Sequence, residues 1–175
     1  SSHRVISDFQ RVDGASRIVV RGEQIPETDF HCPLLSLPMA FGTELRSIPA
    51  QVPYLTVGKK VISARRAKLA KRGKRIVGLC WRGNPDYPRD RERSCEFSRL
   101  APLWNVPGVR FISLQKELTA DERREASALP LFSHADTDFK TMAETVAALD
   151  LVITVDTSVA HWAGAIGKPV WVLLP

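Results

Sequence analysis

Four short apolar runs, separated by stretches of helical spacing, constrain this chain more than any other feature. Arg75-Ile-Val-Gly-Leu-Cys-Trp81 is continuous and apolar, as expected of a strand covered on both faces. Val109-Arg-Phe-Ile-Ser-Leu114, entered through Pro107-Gly108, is a second strand. Leu151-Val-Ile-Thr-Val155 and Val170 to Leu174 supply the third and fourth. Between them, Ser98–Trp104 and Asp121–Leu129 read as helices. Asp138–Leu149 places Phe139, Met142, Ala143, Val146 and Leu149 on one helical face, with Thr137 as N-cap. Ser158–Ile166 is a short helix stopped by Gly167. Strands alternating with helices predict an α/β chain with a Rossmann-like, doubly wound parallel sheet.

Upstream the pattern is less regular. Arg17-Ile-Val-Val-Arg21 has strand character, and Gly22 and Pro26 break it. Asp29-Phe-His-Cys-Pro-Leu-Leu-Ser-Leu-Pro38 is apolar but holds two prolines, which reads as a strand leading into an irregular loop. Pro49 and Pro53 mark extended chain. Lys59–Arg72 then has helical spacing with a narrow apolar stripe (Val61, Ile62, Ala64, Leu69, Ala70), closed by Gly73. Such a segment reads as a connector. The expected organisation is a partial lobe over 1–48, a linker and basic helix over 49–73, and a nucleotide-binding lobe over 74–175. That lobe stops directly after a strand, so the chain reads as a fragment.

The net charge of +6 is concentrated: Lys59 to Arg93 holds 13 Lys and Arg against three acids, Asp86, Asp90 and Glu92. A basic segment of this kind is either a solvated face or the footprint of an anionic partner. With few aromatics to stack bases and no helix-turn-helix or zinc spacing, nucleic acid is not the expected partner. The apolar runs are too short for a membrane span. Cys32, Cys80 and Cys95 fit no metal or redox spacing, and no export signal is visible, so a reduced, cytoplasmic protein is expected.

The chemistry is carried by Val155-Asp-Thr-Ser-Val-Ala-His-Trp162. Asp156 follows an apolar strand and precedes a helix, which puts it at the carboxyl edge of the sheet, where open α/β folds bind ligands. Thr157 and Ser158 cap the helix, whose first turn offers N–H groups and a positive dipole end to a phosphate. His161 lies one turn further and can donate to a phosphate or hydroxyl. Asp156, an acceptor when ionised, suits a ribose hydroxyl or a helix cap. The bland alternative stays open: Asp-Thr-Ser caps helices in many domains, and His161 can simply pack under Trp162.

The run Asp156-Thr-Ser-Val-Ala-His161, followed by Gly-Lys-Pro169 and an apolar strand, resembles the donor-site motif of heptosyltransferase-like (family 9) glycosyltransferases. Asp29-Phe-His-Cys-Pro-Leu-Leu-Ser-Leu-Pro-Met-Ala-Phe-Gly42 and Phe111-Ile-Ser-Leu-Gln-Lys116 look like the catalytic region of bacterial proteins that join tetratricopeptide repeats to such a domain. The resemblance implies a two-Rossmann (GT-B) architecture, a nucleotide-diphosphate sugar as donor, and no obligatory metal or separate cofactor. It implies that Asp156, Thr157, Ser158 and His161 hold the nucleotide diphosphate. Trp81-Arg-Gly-Asn84 and the following arginines would supply cationic and polar contacts, with Arg82, Asn84 and Arg93 the chosen residues and Arg93 the stabiliser of the departing diphosphate. Gln115 and Lys116 could reach the nucleotide or be turn residues. The tetratricopeptide repeats and the Gly-Asp-rich opening of the first lobe are missing. Asp29 and His31 are left as the weak candidates for the base.

The expected activity is transfer of a sugar, by inversion, to a hydroxyl of a glycan, a lipid-linked glycan or a protein. The isolated chain is expected to be inactive. The alternative from another class is a non-catalytic, Rossmann-like nucleotide-binding or interaction module.

Overall fold

The computed structural model describes residues 17, 19, 22–71, 73–129, 132–134 and 139–174. The chain divides into two compact units, 1–51 and 52–175.

In the first unit, the strand expected at 17–21 falls outside the described residues except for Arg17 and Val19. The strand expected over 29–38 does not form. Pro33 instead leads into a 3-10 turn, Leu34–Ser36, and a single α-helical turn, Leu37–Ala40. Pro38 sits in the first turn of that helix, where its missing N–H costs no internal bond. A second 3-10 turn, Leu45–Ser47, follows, with Glu44 N–H donating to Ser47 Oγ at 2.8 Å. Phe30, Leu34, Leu35, Met39, Phe41 and Leu45 are all exposed.

The second unit is a parallel sheet flanked by helices. Its strands are β1 (Arg75–Cys80), β2 (Val109–Ser113), β3 (Phe132–His134), β4 (Leu151–Val155) and β5 (Val170–Leu173), in the order β3-β2-β1-β4-β5. All four pairings are parallel, with Val77 opposite Phe111 on one side of β1 and opposite Leu151 on the other. β3 is absent from the sequence reading; three residues are too few to show a period. The longer helices are α1 (Lys59–Leu69), α2 (Ala120–Ser127), α3 (Phe139–Ala148) and α4 (Ser158–Ile166), and a single α-helical turn, Asp90–Arg93, lies in the segment after β1. The expected N-cap Thr137 lies outside the described residues. Ser98–Trp104, read as a helix, lies within a 3-10 segment, Phe97–Asn105, whose interior holds Pro102; proline removes one N–H and disfavours an α-helical turn before it.

The alternation of β1 sorts the core into two layers. Ile76 and Cys80 join Ile112, Leu114, Val152, Met142, Val146, Leu149, Val159 and Ala163 under α3 and α4. Val77, Leu79 and Trp81 join Phe111, Ile153, Phe97, Leu100, Leu118 and Ala126 under the 3-10 segment and α2. Helices therefore cover both faces, as the doubly wound reading requires. Gly78 permits a close approach within the first layer: a Cβ there would lie 2.7 Å from Leu114 Cδ1 and closer still to Leu149.

The basic helix α1, read as part of a connector, is built into this unit. Arg65 pairs with Glu144 at 2.8 Å, and Arg66 grips Asp150 at 2.9 and 3.1 Å and Ala148 O at 2.8 Å. Leu69 packs against the first core layer. Part of the excess positive charge is thus spent on fastening α1 to α3. No helix among the described residues is long and apolar enough to cross a membrane.

Candidate functional site

The strand order reverses direction between β1 and β4, and this is where open α/β sheets form a ligand crevice at the carboxyl ends of the strands. Two loops meet there. One leaves β1 at Trp81 and returns at Ser94; the other is Asp156-Thr157, joining β4 to α4.

The second loop opens α4 as the motif predicts. Thr157 is extended (φ −141°, ψ 173°), and its Oγ1 accepts from Val159 N–H at 3.3 Å. Ala160 N–H closes on Thr157 O at 3.0 Å. Thr157 Oγ1 also lies 3.1 Å from Thr154 Oγ1, whose own hydroxyl donates to Val155 O at 2.8 Å. Thr157 therefore donates to Thr154 and remains an acceptor for the amide. Cys80 Sγ sits 3.8 Å beneath Thr157. Burial raises the Cys80 thiol pKa, outweighing the hydrogen bonds that lower it, so it stays protonated. Asp156, Ser158 and His161 stand exposed around this turn, and none of their side chains bonds to another described residue. Gly167, at φ +74°, ends the helix, with Lys168 N–H donating to Ala163 O at 2.8 Å.

The first loop is held from within by Asp90, a carboxylate with only 8% of its surface exposed. Asp90 accepts from Arg93 Nε at 3.0 Å and from Ser94 Oγ at 2.7 Å, and Ser94 Oγ in turn accepts from Gly83 N–H at 3.0 Å. Arg93 lies over the Tyr87 ring at 4.9 Å, and its Nη1 reaches across to Asp156 O at 2.8 Å. Gly83 leaves no room for a side chain: a Cβ there would sit 2.7 Å from Arg93 Nη2 and closer to Asp90.

The residues singled out from sequence are thus partly brought together. Arg93, Asp156, Thr157, Ser158 and His161 share one rim. Arg82 follows β1 as expected, but its guanidinium turns towards α2, pairing with Glu122 at 2.7 and 3.2 Å and donating to Glu117 O at 2.7 Å. Asn84 is exposed and its Oδ1 accepts from Asp86 N–H at 3.1 Å, which forms the turn. Lys116 is exposed beside Gln115, whereas Gln115 is buried. Asp29 and His31 are exposed residues of the first unit.

No protein-family model, curated protein or solved structure matches the chain.

Three residues not singled out from sequence as part of the site hold its chemistry in place: Asp90, Cys80 and Glu122. Glu122 accepts from Trp81 Nε1 at 2.8 Å as well as from Arg82, and from Thr119 N–H at 2.7 Å. Burial opposes its charge, yet the bonds from Arg82, Thr119 and Trp81 outweigh that and hold its pKa below the usual glutamate range. A readable signal existed for Glu122, since Thr119-Ala-Asp-Glu122 has the spacing of a capping box. The spacing of Asp90, Arg93 and Ser94 is the corresponding signal for the loop. Among the described residues no three His, Cys, Asp or Glu side chains gather as a metal-ligand group.

The rim offers a helix N-terminus, a latched guanidinium, an exposed carboxylate and an exposed imidazole. These are groups for an anion with hydroxyls attached: the helix end and Arg93 for phosphate, Asp156 for a hydroxyl.

Proposed function

We propose that this chain binds a nucleotide-diphosphate sugar across the β1–β4 crevice and serves transfer of the sugar to an acceptor hydroxyl, in the manner of a GT-B glycosyltransferase. The observation that carries the reading is the juxtaposition of Arg93 with the Asp156-Thr157-Ser158 opening of α4 at the switch point of the sheet. The diphosphate lies against the first turn of α4, where Ser158 and His161 donate and the helix dipole favours its charge. Arg93 offers its remaining N–H groups to the leaving diphosphate, and Asp156 accepts from a ribose hydroxyl. No separate cofactor enters this scheme. The acceptor is a hydroxyl of a glycan, a lipid-linked glycan or a protein.

A second reading, a non-catalytic nucleotide-binding module, is favoured by a specific observation. Of the four arginines in the first loop, the two singled out from sequence are matched by carboxylates, Arg82 by Glu122 and Arg93 by Asp90, which lowers the net positive charge available to a leaving group.

Calorimetric titration with UDP, ADP, GDP and CMP tests the shared part of both readings. Saturable binding of one nucleotide, weakened in Asp156→Ala by about 1–3 kcal/mol, supports the site. A folded chain that binds none of the four contradicts it. Turnover of a bound nucleotide sugar, with release of the nucleoside diphosphate, separates the enzyme from the module.

A further inference from the structure

We infer that Gln115 is the positioning residue of this site: it sets the course on which the loop Trp81–Ser94 leaves the sheet, and so places Arg93 beside Asp156. The inference rests on the nucleotide-binding reading above. It concerns a side chain that touches no ligand and acts through the backbone.

The β1–β2 ladder runs out at Leu79 opposite Ser113, with Leu114 N–H donating to Leu79 O at 2.8 Å. Beyond that point the side chain of Gln115 continues the pairing in place of backbone. Its Oε1 accepts from Trp81 N–H at 3.3 Å and Arg82 N–H at 3.2 Å, and its Nε2 donates to Arg82 O at 3.0 Å. The residue is only 4% exposed, so these backbone groups have little access to water and depend on it. A side-chain amide presents an acceptor and a donor on one terminus, which is what the N–H and C=O groups of a departing strand require.

The loop's other end closes on the same residue, as Cys95 N–H donates to Trp81 O at 2.8 Å. From this root the chain of contacts runs outward through Gly83 to Ser94, from Ser94 to Asp90, from Asp90 to Arg93, and from Arg93 to Asp156 O. A shift at Arg82 is therefore passed to the guanidinium at the rim.

Gln115→Glu tests this. The groups facing position 115 are the backbone of Trp81 and Arg82 and the thiol of Cys80, 3.7 Å from Oε1; the Arg82 guanidinium is engaged by Glu122. An ionised carboxylate would face the Arg82 carbonyl where an N–H now donates. A protonated one would restore a donor and an acceptor in nearly the same shape. Burial raises the pKa of such an acid, so it recovers its proton as the pH falls from about 9 to about 6. Whichever of UDP, ADP, GDP and CMP the wild type binds is used as probe, and the ratio of variant to wild-type Kd is followed with pH. We expect a loss of about tenfold at the alkaline end that shrinks towards parity at the acid end. Gln115→Met, of similar length and without the amide, should lose affinity at every pH. In the wild type, the Trp81 and Arg82 amides should exchange with solvent far more slowly than that of Asn84. A pH-independent ratio near one in Gln115→Glu overturns the inference, as does fast exchange at Trp81 and Arg82. That exchange measurement decides the matter if neither variant folds. A folded wild type that binds none of the nucleotides overturns the binding reading and removes this role with it.

Discussion

Arg93 Nη1 donates to the carbonyl oxygen of Asp156 at 2.8 Å, joining the loop that leaves β1 to the turn that opens α4. The same guanidinium gives its Nε to Asp90 and rests on Tyr87, so its position is fixed from three sides while its charge stays at the rim. Arg93→Ala should therefore weaken nucleoside-diphosphate binding by about 1–3 kcal/mol, the range for one or two charged hydrogen bonds. Arg93→Lys should recover only part of this, because an ammonium cannot serve Asp90, Asp156 and a phosphate with the fixed fork of a guanidinium. Calorimetry on the three proteins checks both expectations; equal affinity in wild type and Arg93→Ala would remove Arg93 from the site.

Two carboxylates tie stability to acidity. Burial opposes the charge on Glu122 and Asp150, but Glu122 is held below its usual range by Arg82, Thr119 and Trp81, and Asp150 by the Ile76 amide and Arg66. The unfolded chain binds their protons more readily than the folded one. Their contribution is complete above about pH 5 and is lost as the pH falls through the depressed folded values. Glu122→Gln should cost about 1–2 kcal/mol at neutral pH, where the Arg82 pair is partly screened. Its urea midpoint should also fall less steeply than that of wild type between about pH 5 and pH 3. Parallel midpoint–pH curves would show that Glu122 carries no such linkage.

The doubly wound architecture was legible because β1, β2, β4 and β5 are apolar runs bounded by glycine, proline or a cap, and because Met142, Ala143, Val146 and Leu149 repeat at helical spacing and are buried. What escaped is short or non-local. β3 has three residues, and its place beside β2 is a tertiary fact. The segment after Asp29 carried strand-like residues, yet two prolines at helix-compatible positions turned it into helical turns. α1 was read as a connector from its narrow apolar stripe, while Arg65 and Arg66, on the inward side, find their acids about 80 residues away.

The site shows the same division. Asp156, Thr157 and Ser158 were legible because strand-to-helix chemistry is local. Arg82 was legible as a residue following β1, but not as a side chain committed to Glu122, 40 positions on. Gln115 could be placed at a strand end from sequence. That both ends of its amide serve the backbone of Trp81 and Arg82 depends on the β1–β2 register.

Gly78 offers a test of the packing that brings β1 and β4 together. It lies at the middle of the central strand, between Ile112 on β2 and Val152 on β4, with the Leu114 and Leu149 side chains filling the space a Cβ would need. Both leucines are about 1% exposed and part of the same core layer, so neither can give way freely. Gly78→Ala should destabilise the fold by about 1–3 kcal/mol, the cost of overpacking a closed core, measured as a lower urea midpoint at unchanged slope. A neutral or stabilising effect would mean that the leucines have room to move.

Asp90 separates charge from geometry at the rim. In Asp90→Asn, the amide oxygen can still accept from Arg93 Nε, and the amide nitrogen can donate to Ser94 Oγ in place of the present bond from Ser94. The loop keeps its connections, but the negative charge that offsets Arg93 disappears. Stability should fall by about 1 kcal/mol, since a charged hydrogen bond is replaced by a neutral one in a half-buried pair. Affinity for a nucleoside diphosphate should rise by about fivefold to tenfold, because a like charge several ångströms from the bound phosphates has been removed. The gain should shrink with added salt. A protein that is less stable and yet binds more tightly is not the outcome expected of a purely structural Asp90. If Asp90→Asn binds as weakly as Arg93→Ala, Asp90 matters by holding Arg93 in place and not by offsetting its charge.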